Sequence, residues 1–254
     1  MPKVESQVIW SGVYDAFPKA GAKASPAFED GRWIERQMAV AEHVLEMEPY
    51  DRAAPDNDSY FLGLITGYLS GKPKPVSVVD FGGSLALAYL PLLKFCKRVD
   101  GVRWTVIESK AVCAAGTKFV KRHGLGHVDF ATDIGRLRKL DVFFARNSFH
   151  YTKDWRGLIN TIAQRGAEMV ILRGVIAGSS PTFCTLQNYY GERIPVWFFN
   201  EAELVLSFSE AGFDLVSRRP VKQRYFGKLQ SPPMTNFPRS HRGKMNLDLV
   251  FTSN

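Results

Sequence analysis

The residues best suited to chemistry stand where short apolar runs end. Val76–Phe81 is a run rich in β-branched residues, closed by Gly82, Gly83 and Ser84. Glycines between a buried strand and a helix let a ligand come close to the backbone, and the free amides of that helix attract a carboxylate or phosphate. Asp80 sets an acceptor beside this turn, within reach of a ligand amine. Glu108 closes the next apolar run, 28 residues further on. A carboxylate there can accept hydrogen bonds from both hydroxyls of a ribose. Asp133 and Ile134 follow the third run, and Arg146, Asn147 and Ser148 follow the fourth, where polar groups can rim an adenine pocket. Each feature alone is common in α/β proteins. The ordered set is more specific.

A second group could handle an acceptor. His150 lies just past the fourth run, on the ligand side, and imidazole titrates near neutrality, so it is the first candidate for a general base. A histidine that merely packs against a pocket would look the same. The segment from Ala177 to Asn200 is long for a connection and rich in amides and aromatics. Gln187, Asn188 and Tyr189 could bond sugar hydroxyls, and Trp197 could stack on a ring face. Tyr14 and Trp10 could close over the site from the N-terminal side, and Tyr151 sits beside His150. Cys96, Cys113 and Cys184 lack metal-ligand spacing, and histidines and acids do not cluster, so no metal is expected.

These residues need a scaffold of alternating strands and helices. Strands are predicted at 76–81, 104–108, 128–131, 141–145 and 169–172, with helices over 84–97, 111–120, 155–162 and 201–211 between or after them. Such alternation implies a parallel sheet covered by helices on both faces, with its ligand at the C-terminal strand ends. Two last strands, 215–218 and 247–252, have no helix between them and read as an antiparallel pair. Apolar residues at helical spacing over 34–45 and 60–69 make residues 1–74 a helical cap before a main domain of 75–254. Residues 10–31 read as irregular.

The charge is uneven. The 254 residues carry a formal charge of +8, and from 215 to 247 there is no acidic residue beside Arg218, Arg219, Lys222, Arg224, Lys228, Arg239, Arg242 and Lys244. That stretch is either a solvated basic loop or a landing surface for an anionic glycan, a phosphorylated lipid carrier or a nucleic acid. No signal peptide or membrane-length apolar run is visible, which makes the cytoplasm the expected compartment.

In this setting Asp80-Phe81-Gly82-Gly83 resembles the glycine-rich first motif of class I S-adenosylmethionine (SAM)-dependent methyltransferases. Glu108 resembles their ribose-binding acid, Asp133 their acid after the third strand, and the stretch from Asp141 to Tyr151 their fourth-strand motif. The resemblance implies a doubly wound, mostly parallel seven-stranded sheet with an antiparallel last strand, SAM as cofactor, and a cofactor site at Asp80, Gly82, Gly83, Ser84, Glu108, Asp133, Ile134, Asn147 and Ser148. More narrowly, Trp10-Ser11-Gly12-Val13-Tyr14, Tyr151 with Asp154-Trp155, and Thr185-Leu186-Gln187-Asn188 resemble a family of bacterial methyltransferases associated with surface-polysaccharide biosynthesis. That implies O-methylation of a glycan, a sugar precursor or another small acceptor. The chain departs from Asp-x-Gly-x-Gly-x-Gly at Ser84 and Ala86. A methyltransferase fold kept only for binding, or an RNA methyltransferase using the basic stretch, is the alternative. A nicotinamide-dependent oxidoreductase expects Gly-x-Gly-x-x-Gly, which this turn does not supply.

Overall fold

The computed structural model describes residues 8–17, 26–47, 56–72, 75–95, 101–189 and 191–254. Its strands and helices are β1 (Trp10–Tyr14), α1 (Gly31–Glu46), α2 (Asp56–Ser70), β2 (Val76–Phe81), α3 (Tyr89–Phe95), β3 (Val102–Ile107), α4 (Lys110–Arg122), β4 (Val128–Ala131), β5 (Val142–Arg146), α5 (Trp155–Gln164), β6 (Met169–Gly178), β7 (Phe183–Tyr189), β8 (Glu192–Asn200), α6 (Glu201–Glu210), β9 (Phe213–Val221), β10 (Gln223–Tyr225), β11 (Lys228–Gln230) and β12 (Lys244–Ser253).

Seven strands form the expected sheet in the order β4-β3-β2-β5-β6-β12-β9. The first five are parallel; β12 runs antiparallel between β6 and β9. β2 and β5 are buried along nearly their whole length. Strands covered on both faces read as continuous apolar runs rather than alternating ones, which is why these two are plain in the sequence. One face packs against Trp33, Ala41, Phe61 and Ile65 of α1 and α2 and against residues of α3 and α4. The other packs against Trp155, Leu158 and Ile162 of α5 and Leu204 and Phe208 of α6.

Three findings depart from the sequence reading. First, the sheet has ten strands. Residues 177–200 do not form a long loop: they finish β6 and then fold back as the antiparallel pair β7–β8. Gly191 takes a left-handed φ of 81° at their junction. Second, Trp10–Tyr14 is not irregular but strand β1, paired antiparallel with β7. This β1–β7–β8 extension joins the main sheet through two parallel pairs, Ala177 with Phe199 and Gly178 with Asn200. Third, residues 84–88 form turns and α3 begins only at Tyr89, because Ser84 and Ala86 hold φ values of 56° and 61° that no α-helix accommodates. Within the basic stretch, β9 runs on to Val221 and β10 and β11 form a small hairpin.

Candidate functional site

The C-terminal ends of β2, β3 and β5 open on a cavity of about 630 Å³. Its floor is the turn after β2. Gly82 has φ 68°, and a Cβ there would collide with Ser148. A Cβ on Gly83 would collide with the Asp80 carboxylate. The two glycines therefore serve close packing on both sides of one turn. Ser148 fixes the same turn from the end of β5 by donating its hydroxyl to the Phe81 carbonyl.

Glu108 follows β3 and faces this floor. Its Oε1 accepts from the Ser84 amide at 3.0 Å and its Oε2 from the Ser109 amide at 3.1 Å. Burial raises its pKa and those two amides oppose the rise. Both oxygens keep further lone pairs, so the carboxylate is oriented and still able to accept. Asp80 is buried beneath the turn. Its Oδ2 accepts from the Trp104 indole at 3.2 Å, while its Oδ1 has no hydrogen-bond partner. Burial pushes Asp80 up to about 7, against the pull of the Arg146 charge and the Trp104 bond. Asp80 is among the residues lining the cavity, and an orphaned buried oxygen there would welcome a ligand donor.

Of the cofactor-site residues expected from sequence, Asp80, Gly82, Gly83, Ser84, Glu108, Asn147 and Ser148 line the cavity together. Asp133 and Ile134 do not: Asp133 is exposed and caps Gly135 at 2.8 Å, and Ile134 is buried in the α5–α6 core, while neighbouring Thr132 lines the wall. Among the acceptor candidates, Tyr151 and Tyr189 line the cavity. Gln187 holds Tyr151, its amide oxygen accepting a hydrogen bond from the Tyr151 hydroxyl at 2.6 Å. Asn188 holds β1 by donating to the Val8 carbonyl at 2.8 Å. Trp197 is buried against Phe17 and donates to the Thr152 carbonyl, beside a different cavity near Arg156 and Glu203. Tyr14 lies in β1 against Cys184.

His150 is 5% exposed and does not line the cavity. Burial lowers its pKa to about 3, its ring packs against Tyr151, and its Nδ1 has no hydrogen-bond partner. The imidazole is neutral throughout the physiological range.

Sequence reasoning did not find the cavity's far wall. Phe28, Trp33 and Gln37 arrive from the N-terminal segment. Phe28 is the hub, with ring centroids 5.7 Å from Trp33, 5.2 Å from Tyr151 and 5.6 Å from Tyr189. The helical spacing of α1 marked its buried stripe, but nothing local tells a core aromatic from one at a cavity edge. The cavity therefore has a polar end at Asp80 and Glu108 and an aromatic end around Phe28.

No family model matches the sequence, and no curated protein matches it. Solved structures do match in fold. The 1,6-didemethyltoxoflavin-N1-methyltransferase of Burkholderia thailandensis, solved with its substrate and S-adenosylhomocysteine, matches with TM-score 0.53 and 16% identity over 99% of this chain and 97% of its own. The N-terminal domain of EvdMO1, solved with S-adenosylhomocysteine (SAH) and D-fucose, matches with TM-score 0.53 and 10% identity over 86% of this chain and 97% of its own. The [4+2]-cyclase SpnF matches with TM-score 0.53 and 15% identity over 82% and 85%. The chain thus has the Rossmann-like fold of class I SAM-dependent methyltransferases.

Proposed function

We propose that this chain is a SAM-dependent methyltransferase acting on a small, ring-bearing acceptor of the sugar class. The observation that carries the proposal is the pairing of Glu108 with the Gly82-Gly83-Ser84 turn across the floor of one cavity. Residues that fit the cofactor are in place. Glu108 would take the ribose hydroxyls, the glycine turn would admit the ligand backbone-close, and the orphaned Oδ1 of Asp80 would accept from an amine. When bound, SAM supplies a sulfonium methyl group for in-line transfer to a nucleophilic oxygen or nitrogen.

The chain's own contribution is alignment. The aromatic wall of Phe28, Trp33, Tyr151 and Tyr189 suits a ring face. Burial holds the Tyr151 phenol well above its usual pKa, so it keeps its proton and is fixed by Gln187. His150 supports Tyr151 from behind. The sugar-class acceptor rests on the sequence resemblance and on this ring-shaped wall.

Calorimetric titration with SAH, repeated with NADH, tests the reading. Micromolar binding of SAH alone is expected, and Glu108→Ala should weaken it by roughly 1–3 kcal/mol. No binding of SAH would leave the fold as a binding scaffold. His150→Ala should raise the acceptor KM with kcat nearly kept; a collapse of kcat with an altered pH profile would restore His150 as the base.

A further inference from the structure

The β10–β11 hairpin carries the strongest feature that the methyl-transfer reading leaves unused. Its register pairs Gln223 with Gln230, Arg224 with Leu229 and Tyr225 with Lys228. The inner face is anchored. Tyr225 is buried, packs edge-on to Trp10 with centroids 5.3 Å apart, and donates its hydroxyl to Asn246 at 2.9 Å. The alternation of a strand then sends Arg224 and its partner Leu229 outward. Leu229 is 59% exposed and Phe226, at the tip, 51%.

The tip conformation makes Phe226 costly. Phe226 and Gly227 both have positive φ, 51° and 77°, the geometry of a two-residue turn that favours Asn-Gly. A bulky aromatic in the left-handed region is strained, and with half its surface exposed Phe226 recovers only part of that cost by burial. Stability within the chain is therefore a weak account of Phe226. Lys222, Arg224 and Lys228 flank it in sequence, all exposed; Arg224 donates to the Gly227 carbonyl at 3.0 Å, and Lys222 and Lys228 pair with no acid among the described residues. No acid occurs between 215 and 247. Exposed apolar side chains beside cations on an anchored hairpin match an anionic lipid surface: aromatic and leucine side chains enter the headgroup layer while lysine and arginine face the phosphates. No described helix is long and apolar enough to cross a membrane, so the contact would be peripheral.

The hairpin also adjoins the cavity. Gln223, at its base, donates to the side chain of Asn147, which lines the cavity wall. We propose that the β10–β11 hairpin docks the protein on an anionic membrane surface through Phe226 and Leu229, with Lys222, Arg224 and Lys228 as the electrostatic contacts. Docking would hold the cavity close to lipid-borne molecules.

Sedimentation with vesicles, without cofactor, tests this apart from the methyltransferase reading. The full chain should pellet with phosphatidylcholine vesicles containing about one third phosphatidylglycerol, and much less with phosphatidylcholine alone. The double variant Phe226→Asn/Leu229→Thr should lose at least about tenfold of that partitioning. Its fold should be intact or firmer, because Asn-Gly suits the turn better. The variant Lys222→Gln/Arg224→Gln/Lys228→Gln should lose binding similarly, and salt near 0.5 M should weaken the wild type about as much. A wild-type chain that stays in the supernatant with anionic vesicles at low salt would overturn the proposal. So would a double variant that pellets like the wild type, or single-stranded RNA displacing the protein from the vesicles.

Discussion

Ser84 and Ala86 occupy the second and third glycine positions of the Asp-x-Gly-x-Gly-x-Gly pattern, and both keep left-handed backbone. The turn thus holds a conformation that favours glycine at two residues that are not glycine. For an L-residue that conformation costs about 1–2 kcal/mol. Ser84 recovers little: its hydroxyl makes one long bond to Gln37 at 3.4 Å. Ser84→Gly should therefore stabilise the protein by about 1 kcal/mol in urea melts. Ala86 is fully buried, so Ala86→Gly gives back about 0.8 kcal/mol of methyl burial and should come out near neutral. Asp80 predicts a pH effect. Its folded pKa, raised by burial from 3.8 to about 7, means the folded state holds the proton more tightly. Its contribution is complete below about pH 4 and is lost as pH rises through 7, by at most about 1.4 kcal/mol per pH unit. Asp80→Asn should flatten that part of the stability–pH curve. If SAH seats its amine on Asp80, binding near pH 7 should release protons, read from titrations in buffers of different ionisation enthalpy. Asp80→Asn should abolish the release.

Among the elements, the β1–β7–β8 extension shares only two residue pairs with the main sheet and is held mostly by side chains, with Trp197 and Phe199 entering the α5–α6 core. Besides its two parallel pairs with β6, the buried Lys244 ammonium of β12 donates to the carbonyls of Ser180, Pro181 and Phe199. Burial lowers the pKa of Lys244 to about 8, which leaves it mostly charged at neutral pH. Lys244→Met keeps the stem but strips three carbonyls of their donor, and should cost about 2–4 kcal/mol. Hydrogen exchange should quicken mainly over residues 183–200; uniform loss of protection would show that the extension is not a separate unit. The extension is also where the sequence was least legible. The strands of the parallel core announce themselves as short apolar runs. β7 carries amides in its second half and β8 contains Pro195, so neither has a clean local signature. β1 is five residues long and acquires its meaning only from pairing with β7.

For the whole molecule, the polar end of the cavity was legible because each of its residues follows a recognisable strand. The aromatic end was not, because Phe28 and Trp33 reach it through tertiary packing from the N-terminal segment. A ligand that binds across this floor ties β2, β3 and β5 together and should stabilise the entire domain. At a hundred times its Kd, SAH should contribute about 2.7 kcal/mol. For a chain of this size that is roughly 5–10 °C in Tm by thermal shift, with no shift from NADH.

The pairing of β1 with β7 has a consequence for biosynthesis. Thr185 bonds to the carbonyl of Ser11, 174 residues away in sequence. At about 5–20 residues per second, the first strand leaves the ribosome roughly 10–35 s before its partner exists. Through that interval Trp10 has none of the rings that later enclose it, Phe198 and Tyr225 being made later still. Sealing the sheet edge is therefore among the last events of folding. The nascent β1 segment, with an unpaired strand and a bare indole, is a place where a chaperone would be needed.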